Sequence, residues 1–464
     1  MSTNNCPASF LFLMVVATMA LVISSAHASG FKILNQSAIG VGQSGAFAAQ
    51  ADDPSTLFFN PAGMTQLRGI QTSFGTLLVG GSTNFTSPTG VTTRGDFGGS
   101  VAFPPPSNYY LTANLKDLGI SALDGFTAGI GILSPFGVLY RYPNDSPFST
   151  AVTSEALQLI DIKPTLAYKL NDQLSVGLGA DIYTFASFWG EGRGAVKLNN
   201  AGLPGIPPGT PLEINGNDTA AGFNVSLLYT PLRNGNGKPL ANIGLVYRSQ
   251  ATLHLNGSFL ANGSLVADAS TTVVLPQVIT GAIAVWPIRD KDHEWKVELD
   301  VDYTGWKSFR NTDVHLSTGT TIPFARNWFG AYTTMVGTEY KWLRLEHLPH
   351  WEVAIRGGYW YSQNAVPDSS FTPTVPDSNN HAISAGLGLL CKGTGHFLGL
   401  VTCGSEEGGL LRPKALGLDV AFQALLFEPR TVTGNQNPVA IPGSVDGTYK
   451  TTWYVGSINL RVNF

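Results

Sequence analysis

Charge is scarce in this chain. Asp, Glu, Lys and Arg make up 12% of its 464 residues, about half of what an ordinary soluble domain carries. Also missing, beyond the first two dozen residues, is any run approaching the ~18 consecutive apolar residues of a helical membrane span. A helical membrane protein is therefore a poor fit, and so is a typical soluble enzyme. There is no basic stripe either: the net charge of −4 and a pI near 6.1 argue against a nucleic-acid partner. Cysteine is limited to three residues and methionine to five. The first nine residues contain no Lys or Arg, an unusual start for an exported protein. Even so, Phe10 to Val22 is an apolar run of signal-core length that leads into Ser24-Ser25-Ala26-His27-Ala28, a small-residue cleavage pattern. The reading is a signal peptide over residues 1–28, with Cys6 lost at cleavage.

What the chain has instead is glycine, 53 residues of it, 11% aromatics and a strict period of two. From Tyr454 to the end, Tyr454, Ile458, Leu460, Val462 and Phe464 alternate with Ser457, Asn459, Arg461 and Asn463. Such a strand suits lipid on one side and water on the other. In Ile160–Leu170 the even positions are Ile160, Ile162, Leu166, Tyr168 and Leu170, against Asp161, Lys163, Thr165 and Lys169. Asn171-Asp172 then makes a tight turn into a matching return strand. Trp295–Thr304, Trp351–Tyr361 and Leu416–Leu426 repeat the pattern. A β-sandwich with one wet face has the same period. Strands of nine or more residues with aromatic ends favour an all-β transmembrane antiparallel barrel over residues 69–464.

The segment 29–68 does not alternate. It mixes Gly, Ala and Ser with short apolar stretches and ends in Asn60-Pro61-Ala62-Gly63. Some forty residues with little charge cannot hold a core alone, so they are expected to pack inside the barrel as a hatch. A disordered periplasmic extension is the alternative; Phe31, Phe47, Phe58 and Phe59 speak against it.

At this point the sequence resembles the FadL family of outer-membrane transporters for long-chain fatty acids and hydrocarbons. The resemblance rests on the Gly-rich start of the hatch, Ala51-Asp52-Asp53, Asn60-Pro61-Ala62, Ser134-Pro135-Phe136-Gly137, the hairpin Ile160–Ala180, Leu299–Trp306 and Val375-Pro376-Asp377. It implies a monomeric barrel of about fourteen strands closed by its hatch. An apolar ligand would be taken from outer loops to an inner pocket and released sideways through a kinked strand into outer-membrane lipid. The carboxyl-terminal Phe464 resembles the signal read by the outer-membrane assembly machinery. Long-chain fatty acids are the expected cargo; aromatic or alkane hydrocarbons, or general diffusion through a porin, are the alternatives.

Candidate residues follow. For the gate and pocket floor these are Phe31, Ile33, Leu34, Asn60, Pro61 and Ala62. For the ligand groove they are Leu133, Phe136, Val138, Leu139, Tyr140 and Phe148. Gly129, Gly131 and Pro135 are candidates for the strand kink, with Pro104-Pro105-Pro106 as a second site, because Gly and Pro weaken a β-ladder. Lys163 and Arg356 are candidates for a head-group cation, unless neighbouring carboxylates claim them. Cys391 and Cys403, twelve residues apart in an exported chain, are expected to form a disulfide. A metal site with His396 lacks a fourth ligand. No nucleophile elbow is present, so no enzyme is expected, and no cofactor is called for.

Overall fold

A chain that is greasy on every second residue can satisfy all its backbone hydrogen bonds in lipid only by closing a sheet on itself. The computed structural model does this over residues 30–464; Trp189, Leu398 and residues 405–411 are not described. The expected signal peptide lies outside the described residues. Fourteen antiparallel strands form the barrel. They are β1 (Ile70–Thr86), β2 (Ser107–Asn114), β3 (Phe126–Leu133), β4 (Ile160–Lys169), β5 (Leu174–Thr184), β6 (Ala220–Arg233) and β7 (Pro239–Arg248). The circuit continues with β8 (Val278–Arg289), β9 (His293–Thr304), β10 (Ala331–Trp342), β11 (Trp351–Ser362), β12 (Asn380–Lys392), β13 (Ala415–Phe427) and β14 (Gly447–Asn463). Closure comes from β14, which pairs with β13 on one side and with β1 on the other, Leu460 opposite Phe74. Short turns such as 170–173 and 290–292 lie at one end, with the carboxyl-terminal strand end at Asn463. Long connections such as 134–159, 185–219 and 305–330 lie at the other. Short turns mark the periplasmic end of such a barrel.

The faces divide as the alternation requires. On β14, Tyr454, Ile458 and Leu460 face outward and are about half exposed, while Val455, Ser457 and Asn459 are buried inside. The lumen is densely polar and charged, and many of its charges are paired. Lys296 meets Glu298 at 2.8 Å, and Arg356 meets Glu339 at 2.6 Å and Asp419 at 2.8 Å. Arg461 reaches the other oxygen of Asp419 at 2.6 Å. Removing one partner of such a buried pair costs about 3–5 kcal/mol, because the other charge is left uncompensated.

Residues 30–67 fill the inside of the barrel. They hold only two short helices, Ala38–Gly42 and Thr56–Phe59, and a 3₁₀ turn, Pro61–Gln66. Helices this short have no independent stability, so the wall must hold them. It does so by accepting backbone donors. Asp300 Oδ2 accepts from the Phe47 and Ala48 amides at 3.1 and 3.0 Å, and Glu298 Oε1 accepts from the Ala49 amide at 2.6 Å. From β14, Asn459 Oδ1 accepts the Ala38 amide at 2.8 Å. The backbones also touch. A Cβ on Gly358 would stand 2.3 Å from the carbonyl carbon of Gln43, and one on Gly244 would stand 2.5 Å from the Ala48 oxygen. Only glycine permits approaches of this kind.

Candidate functional site

Bulges shift the register near Tyr229–Leu232 and Val285–Ile288, but among the described residues the strand pairing between β1, β2 and β3 is interrupted over a longer stretch. β1 is seventeen residues long, but β2 covers only its first part, ending where Ser107 faces Thr76. Higher up, Ser82–Thr86 pairs with a short strand, Thr92–Asp96. Between the two, β1 is met only by loop backbone: the Leu77 amide donates to the Pro106 oxygen and the Ala102 amide to the Val79 oxygen, each at 2.8 Å. Next along the wall, β3 stops at Leu133 and a strand resumes at Gly137–Arg141. The two upper strands share a single pairing, Asp96 with Arg141. Residues 97–106 and 134–136 therefore span an interruption in the ladder. Pro104, Pro105 and Pro106 occupy it because they have no amide hydrogen to contribute to a sheet.

Behind this break lies a cavity of about 170 Å³, lined by Leu77, Val79, Phe97, Ala102, Val138, Leu159, Leu425 and Val455 among others. Its floor is the start of the inner segment, Gly30 to Asn35. That start is bonded to the break itself: the Ile33 amide donates to the Pro135 oxygen at 2.8 Å, and the Gly137 amide to the Phe31 oxygen at 3.0 Å. A second cavity, of about 150 Å³, lies under the long connections and is lined by Ala195, Leu198, Ile214, Leu255, Val273 and Val439. Phe31, Val138, Leu157 and Val375 border both and form the partition between them. The Phe31 ring is held edge-on by Phe136, Trp306, Phe309 and Trp328, with centroids 4.7–6.2 Å away. A third, smaller space of about 30 Å³ lies beneath, between Lys32, Phe136, Arg248 and Asp302.

Charge at the two larger of these cavities is sparse, whereas the small third space is lined by Lys32, Asp161, Arg248, Asp300 and Asp302. Lys32 Nζ is 2.7 Å from Asp302 Oδ2 and 2.9 Å from Thr304 Oγ1. Burial pulls its pKa down, and Asp302 opposes that pull. In the outer cavity stands Arg326, whose Nε donates to Thr312 Oγ1 at 2.9 Å and whose guanidinium lies over the Phe324 ring. Among the described residues no carboxylate lies within ion-pair distance of Arg326; burial lowers its pKa, and Glu155 works against that. Glu155, on the same cavity, accepts from Thr374 Oγ1 at 2.5 Å.

Asp377 borders the inner cavity from the connection 363–379 and accepts the Ala365 amide at 2.9 Å. Burial, only partly offset by that bond and by Arg430, raises its pKa to about 6. A raised carboxyl pKa penalises the ionised form in the folded chain. The penalty is full above about pH 6 and is relieved as pH falls toward the ordinary value near 4. Thermal stability, and affinity for an uncharged apolar ligand in the inner cavity, are therefore expected to rise between pH 7.5 and pH 5. D377N should flatten both profiles. Calorimetry with an arene ligand reads the effect, and a profile unchanged by D377N would count against it.

The predicted residues are distributed unevenly over this site. Phe31, Ile33 and Leu34 line the inner cavity, as do Phe136, Val138, Leu139 and Tyr140. Leu133 does not: it belongs to the apolar cluster that includes Phe47, Leu57 and Met64 of the inner segment. Phe148 is also absent from the three cavities and meets Phe85 and Tyr142 edge to face. Asn60, Pro61 and Ala62 are fasteners, not a pocket floor. Asn60 Nδ2 donates to the Ala48 and Leu227 oxygens at 2.7 and 3.1 Å, and the Ala62 amide donates to Asn60 Oδ1 at 3.1 Å and Ser226 Oγ at 2.9 Å. Asn60 caps the 3₁₀ turn with Pro61 in its first turn.

Gly129 and Gly131 do not kink β3. Each is paired on both sides, Gly129 with Thr112 and Thr165 and Gly131 with Tyr110 and Lys163. The lack of a side chain at Gly129 instead makes room for Met64, whose Sδ would be 2.8 Å from a Cβ. Pro135 lies within the interruption. Lys163 and Arg356 are not available as head-group cations: Lys163 is paired with Asp161 and Asp181, and Arg356 with Glu339 and Asp419. Two cations that face the inner and outer cavities, Lys32 and Arg326, carry no signal in the sequence. Neither stands in an alternating strand, so no periodicity marked them. Cys391 and Cys403 are joined in a disulfide, Cα–Cα 5.6 Å, which removes both thiolates from any metal site.

Comparison with known proteins points the same way. Residues 19–394 match the family model described as outer membrane protein transport protein (OMPP1/FadL/TodX). The long-chain fatty acid transport protein of Escherichia coli K12 is 23% identical over 414 residues, covering 80% of this chain and 86% of that protein. The Salmonella typhi protein of the same name is 24% identical over 404 residues, with the same coverage. Among solved structures, a Pseudomonas aeruginosa FadL homologue superposes with a TM-score of 0.72 at 17% identity, over 94% of this chain and 100% of the other. The Pseudomonas putida toluene transporter TodX gives 0.62 at 13% identity, over 95% and 100%. At such identities the two structures bear on the fold alone.

Proposed function

The chain belongs to the outer membrane protein transport protein (OMPP1/FadL/TodX) family, and from that membership we propose that it takes up long-chain fatty acids through its two apolar cavities and releases them sideways at the break in the wall. The observation that carries this reading is the coincidence of the break with the larger cavity and with the start of the inner segment. A fatty acid captured under the long connections meets Arg326 in a cavity where apolar side chains predominate and Glu155 is engaged by Thr374. The alkyl chain is then drawn past Phe31 into the inner cavity. Burying about 15 methylenes at ~0.8 kcal/mol each gives roughly 12 kcal/mol as an upper bound. Ordering costs bring this down to a micromolar affinity, which lets the ligand leave.

The inner segment acts as the hatch. Its first residues are hydrogen-bonded to residues 135–137, so a ligand that displaces Phe31 also loosens the edge of the break. Outer-membrane lipid receives the cargo, the protein works as a monomer, and Phe464, whose amide donates to the Ile70 oxygen at 2.8 Å, presents the assembly signal at the barrel seam. Known relatives are transport proteins, and catalysis has no part in this account.

Uptake of aromatic hydrocarbons is the second reading. It is favoured by the inner cavity, where the one bordering cation, Lys32, is already engaged by Asp302. Calorimetry on detergent-refolded protein with oleate and with toluene separates the two. Charge-assisted hydrogen bonds contribute about 1.5–3 kcal/mol, so R326Q is expected to weaken oleate binding roughly tenfold or more and leave toluene unchanged. Tight toluene binding with no saturable oleate binding would transfer the assignment to the hydrocarbon reading.

A further inference from the structure

The disulfide lies on the outside of the barrel. Across β11 and β12 Trp351 is paired with Cys391, Val353 with Leu389 and Ile355 with Leu387; across β12 and β13 Cys391 is paired with Leu416. Directly paired residues of an antiparallel ladder point to the same side of the sheet. Ile355 and Leu387 are exposed on the lipid-facing surface, so Cys391 points toward lipid as well, yet it is fully buried. Its own partner covers it. Cys403 is bonded to it, and the Cys403 amide donates to the Gly395 oxygen at 2.7 Å, which folds Gly395–Phe397 and Val401–Cys403 back against the outer wall.

The small hairpin in this turn pairs His396 with Thr402 and Phe397 with Val401. The Phe397 ring stacks on Trp351, 5.6 Å between centroids and 26° between planes. Leu400 is 84% exposed and Val401 55% exposed. The apolar surface of the turn is thus continuous, through Phe397 and Trp351, with the row that faces the membrane. Trp351 opens its strand at the periplasmic end, the level at which indole rings sit between acyl chains and headgroups. Side chains of this kind standing in water beside a bilayer would be an unfavourable arrangement.

We infer that the disulfide-stapled hairpin 395–403 is a membrane wedge that seats Leu400 and Val401 in the periplasmic-leaflet phospholipid of the outer membrane, alongside Trp351. The staple fixes the hairpin against the wall, so the apolar tip is presented to lipid and not to the periplasm. The inference depends only on the barrel lying in the outer membrane. Its failure would leave the ligand reading untouched.

The test uses the full barrel in phosphatidylethanolamine and phosphatidylglycerol vesicles, with a nitrobenzoxadiazole probe attached through L400C under non-reducing conditions. The expected result is blue-shifted emission, quenched by acyl-chain-brominated phospholipid, with a T318C probe in an exposed turn of the opposite end as the aqueous reference. Joining C391S and C403S to the labelled chain, or reducing the folded protein with a phosphine, should remove most of that quenching. Emission at the aqueous value in the oxidised protein would overturn the wedge, and quenching indifferent to the disulfide would overturn the role of the staple.

Discussion

Deleting residues 30–67 is expected to yield a barrel that still inserts but conducts ions, where the intact protein is closed. The strands need no help from the inner segment to form. Their ladder closes from β14 to β1, and their outward faces carry the apolar row that lipid requires. The lumen is another matter. Glu298, Asp300 and Asn459 bond the backbone of the segment, and Gly244 and Gly358 lie against it. Once it is removed, these groups can only be satisfied by water, and a water-filled lumen lined with charge conducts. Planar-bilayer recordings read the outcome directly. Full ligand uptake with no new conductance would show that the segment does not close the barrel.

The second large effect is expected at the break. Ala102 is almost fully buried, borders the inner cavity, and is fastened to β1 through its amide. A102W places an indole in the space an alkyl chain would occupy, with no change to the backbone bond. Filling the cavity removes the burial that draws the ligand inward. Losing the burial of only two methylenes, at ~0.8 kcal/mol each, already lowers affinity by about tenfold. A fall in fatty-acid uptake of that order or more is predicted, with A102L giving an intermediate loss and the outer cavity still binding ligand. Unchanged uptake by A102W, at equal outer-membrane levels, would mean that the route lies elsewhere.

How much of this was legible in the sequence follows from what each residue does. The barrel was, because lipid on one face and water on the other impose a period of two that Ile160–Leu170 and Tyr454–Phe464 display openly. The inner segment was legible as an interruption of that period. The role of Asn60-Pro61-Ala62 was misjudged: a motif that stands out in a sequence can be a fastener, and only the acceptors at Ala48 and Leu227 reveal this one. Gly129 was read for what glycine does to its own strand, when its effect is on the neighbour it admits, Met64. Lys163 and Arg356 look like free lumen cations until the carboxylates across the ladder, Asp181 and Asp419, are seen. The cavities themselves are assembled from residues as distant as Phe31, Ala102, Val375 and Val455, and no local pattern announces such a convergence. The break in the wall was legible only as a cluster of prolines.

Location of a bound ligand tests the central claim most directly. Crystals grown with a fatty acid carrying bromine at its methyl end should show anomalous density in the inner cavity, between Leu77, Ala102 and Val455, against the break at 134–136. Density confined to an axial path through the centre of residues 30–67, with the inner cavity empty, would contradict lateral release.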